Sequence, residues 1–395
     1  MPFEFHLPSL EEMRATPDGI EMLRMIDDDN FRSALITGCP GSGKTTVSIY
    51  RLVRLNNQDI RVRLLTYQNM LVLAIQNLAN VQRVPTKLVS TFHKWYCSLV
   101  NRDFDTNAPP APEDVIAALD NTGLANNGME ELLIDEGQDL PPCVYKALPR
   151  YFGRIFVGAD NGQQVHPHHG ARMEQIEDSL RTDFPPYRRF ALGRNFRNTY
   201  ETYRFARQFI PRTNLVAWDE AILERLLRAN RLGPKPTVIT YRDPNRRNEH
   251  LRVTLQNAEG NVAILCPLGP YRENQYYHTG ESVDEVHQLV QEMGIEASKY
   301  HNEADVPREL HRHVVTTFKS AKGMEFNTVV IPRINFFKSI PQEWYVACTR
   351  ARGQLFVYRD MRDPQRDPIS RFAADTYDSE SLDAPHAPAA RTLPF

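Results

Sequence analysis

The stretch Gly38-Cys39-Pro40-Gly41-Ser42-Gly43-Lys44-Thr45 decides the fold of this 395-residue chain. It follows the apolar run Ala34-Leu35-Ile36 and precedes a helical pattern, the context in which a G-x-x-x-x-G-K-[ST] motif binds phosphate. Its glycines let backbone N–H groups surround phosphate oxygens, and Lys44 reaches the β- and γ-phosphates. The residues that we assign to this phosphate-binding loop are Gly38, Pro40, Gly41, Ser42, Gly43, Lys44, Thr45 and Thr46.

A cluster of acids, Asp135-Glu136-Gly137-Gln138-Asp139, follows a second apolar strand pattern at Leu132-Leu133-Ile134. Asp135 and Thr45 offer the oxygen ligands that Mg²⁺ prefers, and Glu136 can orient or deprotonate an attacking water. Acidic strand ends are common by themselves. Because this one lies about 90 residues after the loop, the pair of motifs predicts Mg²⁺-dependent hydrolysis of a nucleotide.

Short apolar runs alternate with helical patterns along the whole chain. Continuous rather than alternating hydrophobicity predicts strands that are covered on both faces, as in parallel sheets. Strands that alternate with helices make the predicted fold class α/β. The strand-like runs include 34–36, 62–65, 132–134, 155–157, 262–265, 314–315, 329–331 and 355–357.

Pro185-Pro186 interrupts the pattern near the middle of the chain and predicts a domain boundary. We therefore expect one α/β domain over residues 1–184 and a second over 185–360. Residues 361–395 mix Asp, Arg and Pro with little apolar periodicity, so we expect an extended or disordered tail.

The composition limits the class of protein. Forty-seven Lys and Arg against 49 Asp and Glu give a net charge of −2, so any nucleic-acid site has to be local rather than a basic coat over the molecule. Five separated cysteines encode neither a zinc ribbon nor a disulfide framework, which favours a reducing compartment. The sequence has no signal-peptide pattern and no apolar stretch of membrane-spanning length, so we expect a cytoplasmic protein without a membrane partner.

Further motifs occur in a recognisable order. They are Thr91-Phe92-His93-Lys94-Trp95, the acidic cluster at 135–139, Leu192 through Asn195-Phe196-Arg197-Asn198, Lys322-Gly323-Met324-Glu325-Phe326, and Tyr345-Val346-Ala347-Cys348-Thr349-Arg350-Ala351-Arg352. With the phosphate loop, this series resembles a superfamily 1 helicase of the UvrD/Rep type. The resemblance implies two RecA-like parallel-sheet domains with ATP in the cleft between them.

The resemblance also implies roles for individual residues. Arg197 and Arg350 match the two arginine fingers of the family, both expected in the second domain, and Gln163 or the alternative Gln164 matches the γ-phosphate sensor. Phe196 matches the aromatic that stacks on the base, although a core aromatic remains an alternative. Gly323 and Glu325 match nucleotide contacts, Glu325 at the ribose. The implied catalytic set is Lys44, Glu136, Gln163, Arg197 and Arg350.

The same resemblance implies a track for a single strand, at Tyr67, Thr91, His93, His168 and Lys319. Lys319 has a solvated lysine as its alternative, and Trp95 is at least as well explained as core. Eight arginines between residues 181 and 212 form either a local basic patch or a solvated helix face.

The chain also departs from the family pattern. No Gln occurs before Gln58, so the adenine-reading glutamine of the family has no counterpart. Only about 40 residues separate Trp95 from Asp135 and about 120 separate Asn198 from Lys319, where the family usually carries accessory subdomains. We therefore expect a compact motor core that works with a protein partner, such as a nuclease.

Three functional hypotheses follow. The first is an ATP-dependent translocase or helicase on single-stranded nucleic acid, with DNA favoured and 3′→5′ polarity implied by the family. The alternative is a nucleotide-gated regulatory ATPase subunit that switches a partner enzyme without unwinding. A phosphate-loop NTPase that acts on RNA is the third.

Overall fold

The computed structural model describes residues 7–67, 69, 71–73, 75–76, 84–105, 108–124, 128–160, 170–210, 217–267, 282–301, 310–335 and 341–383, with the side chains of 217–219 left out. Within these residues the strands form two separate sheets, of six and seven strands. Every strand pair in both sheets is parallel. The predicted α/β class with two RecA-like units is confirmed.

The first sheet has the strand order β3-β2-β4-β5-β1-β6. Its strands are β1 (Ser33–Gly38), β2 (Val62–Thr66), β3 (Val89–Thr91), β4 (Glu131–Ile134), β5 (Arg154–Ala159) and β6 (Tyr187–Leu192). The helices that accompany it are α1 (Leu10–Arg14), α2 (Pro17–Asp27), α3 (Lys44–Asn57), α4 (Phe92–Val100), α5 (Pro112–Asp120), α6 (Pro142–Ala147) and α7 (Met173–Asp183).

The second sheet has the strand order β13-β7-β12-β11-β8-β10-β9. Its strands are β7 (Thr237–Tyr241), β8 (Val262–Cys266), β9 (Ala297–Tyr300), β10 (His313–Thr317), β11 (Phe326–Ile331), β12 (Ala351–Asp360) and β13 (Asp378–Ser381). Its helices are α8 (Tyr200–Ala206), α9 (Ala217–Arg228), α10 (Pro244–Asn257), α11 (Val283–Glu292) and α12 (Pro341–Cys348).

The inner strands of each sheet are buried on both faces, which explains the continuous apolar runs. In β1, Leu35 packs into one core whereas Ala34 and Ile36 pack into another on the opposite face. In β8, Leu265 and Ile264 likewise belong to two different cores. Successive side chains point to opposite faces of a strand, so a strand between two helical layers has to be apolar at every position.

The change from one sheet to the other comes later than the predicted boundary between residues 184 and 185. β6 lies after that boundary, yet it pairs with β1 in the first sheet, with Ser33 opposite Tyr187. The predicted tail also differs over its described part, 361–383. Ile369 is buried in the core of the second unit, and β13 pairs with β7 as an edge strand. The low apolar periodicity of these residues reflects their position at the edge of the sheet.

No helix in the described part of the chain is long and apolar enough to cross a membrane.

Candidate active site

The phosphate loop connects the carboxyl end of β1 to the first turn of α3. Gly41 and Gly43 have φ of +73° and +98°, values that side-chain-bearing residues rarely adopt. A Cβ on Gly41 would also lie 2.4 Å from the Arg197 Cβ atom. No side chain caps the start of α3, so the backbone N–H groups of its first turn remain available to an anion.

Lys44 is the first residue of α3, and its side chain is only 6% exposed. Its Nζ donates to the carbonyl oxygens of Gly38 at 2.7 Å and Cys39 at 3.1 Å, and it lies 3.6 Å from the Asp160 carboxylate. The ammonium group is thus held over its own loop by backbone oxygens that phosphate oxygens can replace.

Thr45 and Asp135 form the pair that fits a divalent cation. Thr45 Oγ1 donates to Asp135 Oδ2 at 2.7 Å, while Asp135 Oδ1 is buried without a hydrogen-bond partner. Burial, followed by the neighbouring charge of Glu136, raises the pKa of Asp135 to about 7. A hydroxyl, a carboxylate and substrate phosphates are the ligand set that Mg²⁺ commonly uses. Among the described residues no cluster of three or more metal-ligating side chains occurs.

Glu136 is the next residue and is also buried, with the backbone in the left-handed region at φ +55°. Its carboxylate accepts from Gln138 Nε2 at 2.6 Å and lies 3.5 Å from Lys322 Nζ. Burial by itself would raise the pKa of Glu136, but the charges of Lys322 and Lys44 outweigh it and the pKa is lowered. The carboxylate is therefore ionised at neutral pH, as a general base requires.

A cavity of about 340 Å³ separates this loop from the second unit. Its residues come from the phosphate loop and Glu136 on one side, and from the second unit on the other. Those of the second unit are Gly323, Glu325, Arg350 and Arg352. The cavity thus brings together most of the predicted nucleotide contacts, although Gly38, Pro40 and the buried Asp135 do not line it.

Both predicted arginine fingers, Arg197 and Arg350, line this cavity. Arg350 is fully buried, and its Nε donates to the Val346 carbonyl oxygen at 2.9 Å. Burial, followed by the charge of Arg197, lowers the pKa of Arg350 to about 9, so the group stays cationic at neutral pH. Arg197 lies in the segment between β6, which ends at Leu192, and α8, which begins at Tyr200, so it belongs to the connection between the two units.

Glu325 holds the Arg197 side chain. Its carboxylate accepts from Arg197 Nε at 3.2 Å and from Arg352 Nη1 at 3.1 Å. The Arg197 Nη1 atom is buried without a hydrogen-bond partner. An unsatisfied, buried guanidinium nitrogen beside the cavity is a group that an anionic oxygen can satisfy.

The remaining wall of the cavity comes from the N-terminal residues and from the segment after β6. Phe196 donates its N–H to the Gly41 carbonyl oxygen at 2.8 Å, and the Arg194 guanidinium lies 5.1 Å from the centre of the Phe196 ring. Phe196 lines the cavity and also packs against the first core, so both predicted roles are compatible with its position. The other lining residues are Leu7, Pro8, Glu12, Met13, Thr16, Gly19, Met22, Arg194 and Arg231.

Sequence reasoning assigned no role to several of these groups. Arg194 and Arg352 lie within the recognised motifs, and their closeness in sequence to Arg197 and Arg350 is a signal that could have found them. Glu12 and Arg231 lie outside any motif, and only the fold brings them to the cavity.

Some of the predicted strand-binding residues lie close together. The Tyr67 and His93 rings pack edge to face with centroids 5.3 Å apart.

Thr91 is fully buried and caps α4 by accepting from Lys94 N at 3.2 Å, so its hydroxyl has a structural role. Lys319 Nζ lies 3.0 Å from Glu343. Gln163, the alternative Gln164 and His168 lie outside the described residues.

Trp95 is only 5% exposed and belongs to the core beside the first sheet. The core explanation of this residue therefore holds.

The described arginines between 181 and 210 are each paired with an acid. Arg188 and Arg189, on β6, contact Asp28 at 2.5 Å and Glu177 at 2.8 Å. The same holds for the other described arginines of the interval, which pair as Arg181–Asp178, Arg194–Asp18, Arg197–Glu325, Arg204–Asp375 and Arg207–Glu220. Some of these acids are close in sequence, as Asp178 is, and others are distant, as Asp28 and Asp375 are; each balances the charge of its arginine.

No protein-family model matches this sequence, and no curated protein matches it. The chain is similar to a solved structure titled "The structure of PRRSV helicase", at 15% identity and a TM-score of 0.38, over 88% of this chain and 56% of that one. It is also similar to a DEAD box protein from the hyperthermophile Methanococcus jannaschii, at 13% identity and a TM-score of 0.37, over 91% of this chain and 90% of that one. The chain thus spans little more than half the length of the PRRSV helicase chain.

Proposed function

We propose that this chain is an ATP- and Mg²⁺-dependent motor that moves along single-stranded nucleic acid, with DNA favoured. The observation that supports the proposal best is the cavity in which Lys44 and Glu136 of the first unit face Arg350 of the second. Because neither unit carries the whole set of groups, hydrolysis depends on closure of the two units. Closure and reopening move the strand-binding surfaces relative to each other, as directional motion requires.

Each group has a distinct task in hydrolysis. Lys44 exchanges its backbone carbonyl partners for β- and γ-phosphate oxygens, and ionised Glu136 accepts a proton from the attacking water. Arg350 and Arg197 stabilise the charge on the transferred phosphoryl group, a contribution of roughly 10³–10⁵ in rate for an arginine finger.

Thr45 and Asp135 are the residues that would hold Mg²⁺. When bound, the ion neutralises charge on the phosphate oxygens. The buried Asp135 Oδ1, which has no hydrogen-bond partner, would be compensated by such a cation.

Strand binding in this proposal relies on few residues. Tyr67 and His93 supply aromatic surface on which bases stack, and Lys319 exchanges Glu343 for a backbone phosphate. The resemblance to UvrD/Rep proteins gives 3′→5′ as the direction of movement.

The alternative is a regulatory ATPase subunit whose closure switches a partner nuclease or another DNA enzyme. Two features support it. The intervals between motifs are short, and the described arginines between 181 and 212 are paired with acids. Both features reduce the surface that is available to bind a strand. We therefore include a partner protein in both proposals.

The deciding experiment is a hydrolysis assay with ATP, GTP, CTP and UTP, each with and without single-stranded DNA or RNA of equal length. Stimulation by a strand supports the motor, and the strand that stimulates more identifies the substrate. If a saturating concentration of the strand leaves the rate of hydrolysis unchanged, the result contradicts the motor and supports the regulatory subunit.

Two variants separate nucleotide binding from chemistry in the same assay. Lys44→Ala should lose nucleotide affinity and hydrolysis together. Glu136→Gln should retain affinity and lose hydrolysis. Residual hydrolysis at the wild-type rate in both would identify a contaminating enzyme.

A further inference from the structure

Asn198 joins the two chain segments that carry the arginines of the candidate site. Its side chain is fully buried. Its Nδ2 donates to the carbonyl oxygens of Thr349 at 3.1 Å and Ala351 at 2.7 Å. These two residues flank Arg350 on both sides, and Asn198 itself follows Arg197.

Asn195 completes the link on the other side of the turn. Its Oδ1 accepts from the backbone N–H groups of Arg197 and Asn198, both at 2.9 Å. Its Nδ2 donates to Asn198 Oδ1 at 3.0 Å. The two amides therefore form a chain from the Arg197 backbone to the carbonyl groups beside Arg350. Both Nδ2 hydrogens and the Oδ1 atom of Asn198 are used, as a buried amide requires.

The same turn is also attached to the phosphate loop. Phe196 N donates to the Gly41 carbonyl oxygen at 2.8 Å, and Gly41 has no Cβ to separate it from Arg197. Residues 195–198 therefore contact the first unit through Gly41 and the second through Asn198. The Asn198 amide fixes the backbone of this segment beside Arg350, while the Arg197 side chain itself donates to Glu325 of the second unit at 3.2 Å.

We propose that Asn198 is a positioning residue that fixes Arg197 relative to Arg350, so that both guanidinium groups reach the transferred phosphoryl group together. The proposal rests on nucleotide hydrolysis at this site. Asn198 touches no reacting atom and acts through the two arginines. Because a misplacement of about 1 Å can cost roughly 10²-fold in rate, loss of the amide should lower kcat and leave the nucleotide KM nearly unchanged.

The chain offers a matched control at Asn335. This residue is also buried, and its Nδ2 donates to the carbonyl oxygens of Asp360 at 3.1 Å and Asp363 at 2.8 Å. Its Oδ1 accepts from Asp360 N at 2.7 Å, and it does not line the cavity. Asn198→Ala and Asn335→Ala thus each remove a buried amide that donates to two backbone carbonyl oxygens. The first amide lies beside the arginines and the second lies away from them.

The experiment measures kcat, KM and the urea midpoint of both variants. Asn198→Ala should lower kcat by about 10- to 100-fold with KM within about threefold of the wild type. Asn335→Ala should shift the urea midpoint similarly and leave kcat unchanged. An Asn198→Ala protein with wild-type kcat, or equal kcat losses in both variants, overturns the proposal.

A double variant tests whether the effect passes through the arginines. In an Arg350→Ala background, Asn198→Ala should lower kcat by less than about threefold, because residues that act as a unit are not additive. If the kcat losses of Asn198→Ala and Arg350→Ala multiply fully in the double variant, the positioning role is overturned. The proposal that this site hydrolyses nucleotide is unaffected by that result. A wild-type chain that hydrolyses no nucleotide overturns the proposed function and this inference together.

Discussion

Lys322 of the second unit and Asp139 of the first form a buried ion pair, with Nζ 2.7 Å from Oδ2 although the residues lie 183 positions apart. The same ammonium group lies 3.5 Å from Glu136, the proposed general base. One lysine thus compensates two buried carboxylates and joins the two units beside the candidate active site.

Replacing Lys322 by Met should destabilise the protein strongly. Removal of one partner leaves buried carboxylates without a counter-charge, which costs about 3–5 kcal/mol for such pairs. The urea midpoint of the variant should fall accordingly. Lys319→Met is the control, because Lys319 is half-exposed and an exposed pair contributes about 1 kcal/mol at most. If adding Asp139→Leu to Lys322→Met restores most of the lost stability, the uncompensated charge is the cause. An unchanged urea midpoint in Lys322→Met contradicts this account.

The stability of the chain should depend on pH through Asp139. Burial raises the pKa of Asp139 from 3.8 to about 6, more than the Lys322 charge lowers it. The folded state therefore holds this proton more tightly than the unfolded state. The stabilisation that comes from this tighter proton binding is fully present below about pH 4 and is lost as the pH rises through about 6. A shift of about two pKa units corresponds to roughly 3 kcal/mol.

Asp139→Asn removes this titration. The wild-type free energy of unfolding should decline relative to that of the variant between about pH 4 and 6, as measured by urea unfolding at each pH. Parallel pH curves for the two proteins would show that Asp139 does not titrate in this window.

Tyr67→Ala should weaken binding of a single strand. Loss of one stacked base costs about 1–3 kcal/mol, or roughly a 5- to 150-fold rise in Kd. Fluorescence anisotropy with a labelled oligonucleotide measures the change, and Tyr67→Phe, which keeps the ring, should bind like the wild type. Equal affinities for Tyr67→Ala and the wild type would remove this residue from the strand-binding surface.

Glu12→Gln should shift the base preference towards ATP. Glu12 lines the cavity, and its carboxylate accepts from Ser9 N at 2.6 Å. A carboxylate only accepts hydrogen bonds, whereas the adenine edge presents a donor beside an acceptor, which an amide can match. One added hydrogen bond lowers KM for ATP about two- to tenfold relative to GTP.

The matched control is Glu11→Gln, since Glu11 is the neighbouring exposed residue and does not line the cavity. It should leave the ratio of the two KM values unchanged. An unchanged ratio in Glu12→Gln as well would mean that the base does not contact this wall.

Local chemistry made much of the site predictable. The phosphate loop, Thr45, Asp135 and Glu136 were found from sequence because each depends on residues that are contiguous with a strand end. The apolar runs predicted covered parallel strands for the same reason, since a strand between two layers is apolar at successive positions. Phe196, Arg197, Glu325 and Arg350 were assigned through the order of their motifs, and the cavity brings them together.

Other features depended on contacts between distant residues. β6 follows the Pro185-Pro186 interruption and yet pairs with β1, because strand neighbours are set by the sheet rather than by chain order. The arginine-rich interval looked basic in sequence, but acids such as Asp28 and Asp375 lie against it only after folding.

The sequence by itself determined the fold class, the phosphate loop and the acidic residues beside it, because these follow from short-range patterns of glycine, charge and apolar side chains. The tertiary structure alone decided which charges meet. Lys322 reaches Asp139, and Asn198 reaches the carbonyl groups beside Arg350, only when two sheets pack against each other. Ion pairs and hydrogen bonds act over a few ångströms, so pairings between residues more than 150 positions apart depend on the packed fold.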